Sequence, residues 1–383
     1  MRCRALALPV MIAAMMLPHL AAAQVVGDQP TARVAQAPGL PSVSPAPGRP
    51  TVFRYELPGR QSLQALAATL PRTLPLYDLT PALDLVETIA GDIMRANGIE
   101  GAWRQDPDSP ELRLLESGPW HLEIDERSGA LFVGDMSRLG TWKPTPGERL
   151  TLLSEADFIQ DALEKLGHFT VTDHWNELAG VPGSQIPVSL QDRQGLQISV
   201  EYEQAEMVVA DADARLTGKT TRVRGPARVI IRPLVNGVPT VGPGGNLTVF
   251  YDEGNEIAGV KLVQRRLQEA RGSSRLVPLM NVAESLEAAA PTGGDFMRAR
   301  RNVIRSIRLG YYRAAADQVQ TVAQPVYVFE GATFARDGEQ FWSAPFMQLL
   351  PAGHSHRRQL LPGGEPFQVQ PHMQLQSPWD ERD

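Results

Sequence analysis

His121, Glu123 and Asp125 occupy alternate positions of the segment Trp120 to Asp125, and an imidazole beside carboxylates can hold a cation or move a proton. Alternate residues of an extended strand share a face, about 7 Å apart at each step. Neighbouring members could therefore share one metal ion. The same alternation, with Trp120, Leu122 and Ile124 in between, is also the pattern of the solvated side of a half-buried strand, and this is the simpler reading. His354 and His356 in Gly-His-Ser-His-Arg-Arg are close enough to chelate, with His372 available as a third donor; a polar tail that binds trace metal weakly is the simpler reading. His168 and His174 are too far apart along an extended segment to bind one ion. Asp125 and Asp252 are the carboxylates that a hydrolase of envelope polymers would use, but each leads a turn. Asp is favoured there because it hydrogen-bonds to its local backbone.

HExxH, GxSxG and GxxxxGK[ST] do not occur, which removes the usual signatures of zinc peptidases, the hydrolase elbow and phosphate loops. Gly242-Pro243-Gly244-Gly245 lies between two β-rich runs and opens no helix, so it reads as a hairpin turn rather than a phosphate cradle. Tyr311, Tyr312, Tyr327 and Phe329 fall on strand-like runs and read as core. No catalytic, cofactor-binding or metal-binding residue is assigned, and no cofactor is expected.

The elements that must position these residues follow from periodicity. Met1 to Ala23 carries Arg2 and Arg4, an apolar run from Ala5 to Leu17 and Ala21-Ala22-Ala23 before Gln24, the layout of a cleavable signal peptide. The chain is therefore expected to be secreted or periplasmic, with no membrane span after cleavage. Cys3, the single cysteine of 383 residues, leaves with that segment, so neither disulfides nor thiolate chemistry is expected in the mature chain. Cleavage also removes two arginines from a formal net charge of −6. An acidic balance argues against nucleic acid or anionic lipid as partner.

Residues 24–50, rich in Pro, Ala, Gly and Gln, read as a linker that cannot bury enough apolar surface to fold. Residues 51–146 are expected to form a first α+β lobe. Its helix starts after Thr80-Pro81, with Leu85, Val86, Ile89 and Ile93 on one face and Gly98 as its stop, and its strands are Leu112 to Glu116, Trp120 to Asp125 and Ala130 to Gly134. Residues 147–334 form a second, larger lobe after a boundary at Pro144 to Gly147. Here Ser154 to Asp157 is a capping pattern for a helix whose Leu163 faces the core and which stops at Gly167. His168 to Trp175, Leu196 to Val209, Thr221 to Val235, Leu247 to Tyr251 and Ile257 to Val263 read as strands. A helix follows Asn281, and strands Ile304 to Tyr312 and Pro325 to Glu330 complete the lobe. Asn236-Gly237 is a tight-turn dipeptide, Pro233 belongs at an edge or a bulge, and Gly259 marks another bulge. Residues 335–383 read as an irregular tail. Helices preceding runs of hairpins, without βαβ alternation, give an α+β class with two helix-on-antiparallel-sheet lobes.

WHLEIDERSGALFV, with its Asp-x-x-Ser-Gly turn, and the longer NGVPTVGPGGNLTVFYDEGNEIAGV resemble the PepSY domain in its tandem form. The resemblance implies a cystatin-like helix-on-sheet module, found in protease propeptides and in exported regulators that bind or restrain peptidases. It carries over no catalytic motif. The function expected from residues and resemblance together is therefore a non-catalytic exported protein that binds another envelope protein, a peptidase being the class implied. A hydrolase without a recognisable motif, or a structural scaffold, are the alternatives.

Overall fold

The computed structural model describes residues 53–140, 142–143, 150–169, 171–182, 184, 188–210, 216–288, 300–337, 340–353 and 368–369. The signal segment, the linker, the Pro144 to Gly147 boundary, and His354, His356 and His372 lie outside them.

Elements follow in the order β1 (Phe53–Glu56), α1 (Arg60–Thr69), β2 (Thr73–Thr80), α2 (Leu83–Asn97), β3 (Arg104–Gln105), β4 (Leu112–Ser117), β5 (Trp120–Asp125), β6 (Ala130–Asp135), α3 (Glu155–Leu166), α4 (Val171–Ala179), β7 (Leu196–Ala210) and β8 (Leu216–Val235). They continue with β9 (Val238–Val241), β10 (Asn246–Tyr251), β11 (Ile257–Val263), β12 (Arg266–Arg275), α5 (Leu279–Ala288), β13 (Arg300–Tyr312), β14 (Val322–Asp337), β15 (Gln340–Pro351) and β16 (Gln368–Val369). The protein is α+β and strand-rich. Its strands join in one mixed, mostly antiparallel sheet whose main path runs β12-β2-β14-β13-β9-β8-β10-β11-β6-β5-β4-β3. β7 pairs with β8, β15 with β14, and β1 runs parallel to β13.

The helices share one face of this sheet. α2, α3 and α4 enclose a core with Leu122, Ile124, Leu131, Val133, Val229, Ile231, Leu247, Val249 and Leu262. A second core joins α5 and Leu63 of α1 to Leu79, Val235, Ile307, Leu309, Tyr311, Tyr327 and Phe329. Val229, Ile231 and Val235 are even-spaced on β8 and so point the same way, which puts both cores on one side. Tyr311 and Tyr327 are buried there and donate to the carbonyls of Pro75 (2.9 Å) and Val277 (2.7 Å).

Turn chemistry fixes the hairpins. Asn236 and Gly237 both take positive φ (50° and 80°) between Val235 and Val238, which pair across the β8–β9 hairpin. Pairing of β10 with β8 ends at Ile231, just before Pro233, whose missing donor therefore breaks no bond on that side. The β10–β11 register slips between Phe250 and Tyr251, opposite Gly259 and Ile257, so the expected bulge is present. Ser154 caps α3 by accepting from the Asp157 amide, and Gly98 ends α2 in the left-handed region at φ 63°.

Several expectations are corrected. His168 to Trp175 is no strand: α4 starts at Val171, and Val171, Trp175, Leu178 and Ala179 are buried at helical spacing. α2 has Ala82, with no side-chain cap, at its N-cap, because Thr80 is the last residue of β2. The stretch 335–383 is not irregular throughout: it opens with the end of β14 and with β15, paired from Gln340 to Pro351. Helix α1 and strands β2 and β12 add to the expected set.

Candidate functional site: a charged cleft on the open face

Opposite the helices, side chains meet across strands in rows. One row runs Leu114, Glu123, Phe132, Lys261, Thr248, Ile230; the next runs Glu116, His121, Gly134, Gly259, Phe250, Arg228. The segment after β6 covers part of this face. A Cβ on Gly134 would lie 2.5 Å from Leu139 Cδ1, and one on Gly225 would lie 2.4 Å from the Trp142 ring, so glycine makes room for both.

His121, Glu123 and Asp125 do share this face, but each is committed to a protein partner. Nε2 of His121 lies 2.8 Å from Glu123 Oε1 and donates to it, while Nδ1 lies 3.8 Å from Glu116 Oε1. The ring is buried and rests 6.4 Å, centre to centre, from Phe132. Asp125 Oδ1 accepts from the amides of Arg127 (2.9 Å) and Ser128 (3.3 Å), and its Oδ2 pairs with the Arg127 guanidinium at 3.2 Å. Gly129 (φ 68°) closes this turn against the start of α2: a Cβ there would lie 2.9 Å from Ala82 N. Asp252 Oδ1 holds the β10–β11 turn through the amides of Gly254 and Glu256, both at 2.9 Å, and its Oδ2 pairs with Arg138 at 2.6 Å. Since Ala130 pairs with Val263 and Gly134 with Gly259, the Asp125 turn and the Asp252 turn lie at opposite ends of the β6–β11 pair. The structure does not bring the two carboxylates together. Among the described residues, no group of three His, Cys, Asp or Glu side chains could hold a metal ion.

A cleft of about 180 Å³ opens on this face, lined among others by Glu123, Asp125, Arg127, Phe132 and Lys261 and by Asp317 from the β13–β14 loop. Its wall is held from inside the molecule. Arg265, 2% exposed, donates from Nη1 to Ala314 O (3.3 Å) and from Nη2 to the carbonyls of Ala315 (3.1 Å) and Gln318 (2.5 Å). Beside it Arg313, fully buried, donates to Arg265 O at 2.6 Å. Burial, and then the neighbouring charge of Arg265, pull its guanidinium down to about 9. The Gly242 to Gly245 turn wraps this arginine: Gly245 (φ 68°) would place a Cβ 2.6 Å from Arg313 Cγ, and Gly244 one 1.9 Å from Ala314 O. The glycines serve close packing around a buried side chain, in a turn that joins β9 to β10.

A second group of ionisable side chains joins α3 to the β10–β11 hairpin. Tyr251 donates to Asp161 Oδ2 at 2.9 Å, and Lys165 pairs with Asp161 Oδ1 at 2.8 Å. Burial and the adjacent carboxylate push the Tyr251 phenol far above its ordinary range. This group ties the helix to the sheet.

Sequence reasoning missed Lys261, Arg127, Asp317 and Arg265. For Lys261 a signal existed, since it is the one charge in the apolar run Ile257 to Val263 and falls on the alternation opposite Val260 and Leu262. Nothing local marks Arg265 or Asp317, which meet the cleft only through the crossing of distant strands.

No family model matches the chain, and no curated protein matches it. Among solved structures, the crystal structure of an uncharacterized protein from Eubacterium rectale is similar at 11% identity, with 78% of this chain and 87% of that chain covered and a TM-score of 0.38.

Proposed function

We propose that the protein is a non-catalytic exported protein of the bacterial envelope that binds a protein or peptide partner, a peptidase being the class to which the PepSY resemblance points. Two PepSY-like units, residues 51–146 and 147–334, would each contribute a helix and an Asp-led hairpin. The hairpins β5–β6 and β10–β11 support this, lying side by side with β6 against β11. The observation that carries the binding reading is the commitment of the conspicuous polar residues to structure, combined with a long strand at the side of the sheet. β7 spans 15 residues and pairs, among the named strands, with β8 alone. The stretch of this edge around Ile198 is a template for strand addition by an extended segment.

One position on β7 isolates this mechanism. Leu234 N donates to Gly195 O at 2.7 Å, and in an antiparallel ladder residues bonded to the neighbouring strand alternate with residues whose amides point away. With Leu196 opposite Pro233 and Ile198 opposite Ile231, the amide of Ile198 points away from β8. Ile198→Pro removes that donor; Ile198→Val keeps it with nearly the same side chain. Envelope extract is passed over the immobilised mature protein, and bound proteins are identified. We expect a specific partner that Ile198→Val retains and Ile198→Pro loses at least tenfold, with both variants folded by circular dichroism. Equal retention by both would exclude strand addition at β7, and catalytic turnover of any envelope polymer by the pure protein would favour the hydrolase alternative.

A further inference from the structure

Lys261 stands in the middle of β11, half-buried and facing the cleft. Among the described residues its ammonium makes no hydrogen bond or ion pair, and the nearby acids are used elsewhere. Glu123, in the same row, is two strands away across Phe132, about 10 Å by strand spacing. Glu123 is held by His121, and Asp125 by Arg127 and the turn amides. Asp317, which also lines the cleft, is exposed and makes no hydrogen bond or ion pair with a described residue, while its charge acts on Arg127 and Arg265.

The loop that carries Asp317 is positioned at a cost. Burial strips the Arg265 guanidinium of hydration and lowers its pKa, a shift that the charges of Asp125 and Asp317 oppose. The three carbonyls that Arg265 holds, those of Ala314, Ala315 and Gln318, belong to the segment that walls the cleft. Gln320 adds to the anchoring, accepting from Ala314 N at 2.7 Å and donating to Tyr312 O at 2.9 Å and Val322 O at 3.0 Å. Lys261 on a central strand and Asp317 on a pinned loop thus bring a cation and an anion to one cleft of about 180 Å³ from anchored backbone positions. Such preorganisation spares a ligand the cost of ordering its own site.

We propose that this cleft binds the last residue of a peptide that ends in lysine or arginine, with its α-carboxylate on Lys261, its side-chain cation on Asp317 and its aliphatic stem over Phe132. The site deepens the binding reading above and rests on it, since it names the chain end that a protein or peptide partner would present. The shared chemistry is a carboxylate with a cation a few bonds away, which a free basic amino acid also offers. The size of the cleft admits one residue and leaves the rest of a peptide outside.

The test is calorimetric titration of the mature protein with acetyl-Ala-Ala-Ala-Lys as free acid, the same peptide as its C-terminal amide, acetyl-Ala-Ala-Ala-Ala as free acid, and free lysine. The lysine acid is expected to bind at least tenfold more tightly than its amide, about 1.4 kcal/mol, and more tightly than the alanine acid. Lys261→Met should abolish the acid-over-amide preference, Lys261→Arg should keep it, and Asp317→Asn should abolish the lysine-over-alanine preference. Equal binding of acid and amide, an unchanged preference in Lys261→Met, or no binding by any peptide would overturn the proposal. Free lysine binding as tightly as the peptide acid would overturn the assignment to a peptide end. Partner capture that depends on Ile198 but ignores Lys261 would sink this inference alone, whereas peptide binding without any captured partner would sink the strand-edge reading alone.

Discussion

Glu256 closes the β10–β11 turn by donating its amide to Asp252, yet one oxygen of its own carboxylate, Oε2, is buried without a hydrogen bond. Burial pushes this carboxyl above its ordinary value of 4.5; Lys165 opposes the shift and Asp252 adds to it. The folded protein therefore holds this proton to higher pH than the unfolded chain does. The contribution of Glu256 to stability is complete below about 4.5 and is lost as pH rises through the folded value. Glu256→Gln mimics the protonated form. It should raise the denaturation midpoint at pH 7 and leave it unchanged near pH 4, measured by urea melts at both values. A variant that is destabilised at pH 7 would show that the Lys165 attraction outweighs burial.

At the scale of elements, the two long helical faces differ in how deeply they sit. Ile89 of α2 is 2% exposed within the larger core, while Leu163 of α3 only packs against its margin and Phe158, Ile159, Ala162 and Leu166 carry the buried stripe. Ile89→Ala should cost about 2 to 5 kcal/mol, and Leu163→Ala clearly less, by the shift in denaturant midpoint at constant m-value. Equal costs would mean that α3 is rotated from its observed seat. This difference shows what was legible beforehand. The apolar period of α3 and its Ser154 cap fixed the helix, but a stripe more than 100° wide leaves open which residue lies at its centre. Hairpins closed by Asp125, Asn236-Gly237 and Asp252 were readable because each turn is decided by a few local residues. Val171 to Trp175 misled because β-branched residues suggest a strand, whereas burial of Trp175 and Leu178 settles the helix, and that burial depends on β-strands far away in sequence. β12 was hidden for a related reason: exposed from Gln268 to Ser273 at the sheet edge, it has no apolar alternation to betray it. The cleft was half-visible. Glu123 and Asp125 were recognised as one face, but their partners across it come from β11 and from the loop after β13, and no periodicity reports such a meeting.

For the whole molecule, the decisive contact is the pairing of β6 with β11 from Ala130–Val263 to Gly134–Gly259. It joins strands on either side of residue 147 edge to edge, and α2 shares its core with α3 and α4. β2 adds a further tie, lying between β12 and β14 although it belongs to the first hundred residues. Separating 51–146 from 147–383 would expose the backbone edges of β6 and β11 and the apolar faces of α2 and α3 together. Unpaired strand edges and uncovered cores favour aggregation over independent folding. Residues 51–383 kept as one chain should therefore unfold in one cooperative transition, with coincident midpoints from tryptophan fluorescence and far-ultraviolet circular dichroism, even though the sequence carries two Asp-led hairpin units. Residues 51–146 expressed alone should lack the dispersed amide spectrum of a folded domain, and mixing them with 147–383 should restore it. Two separated transitions, or a folded isolated 51–146, would mean that each unit completes its own core and that the β6–β11 pairing is an interface between finished domains.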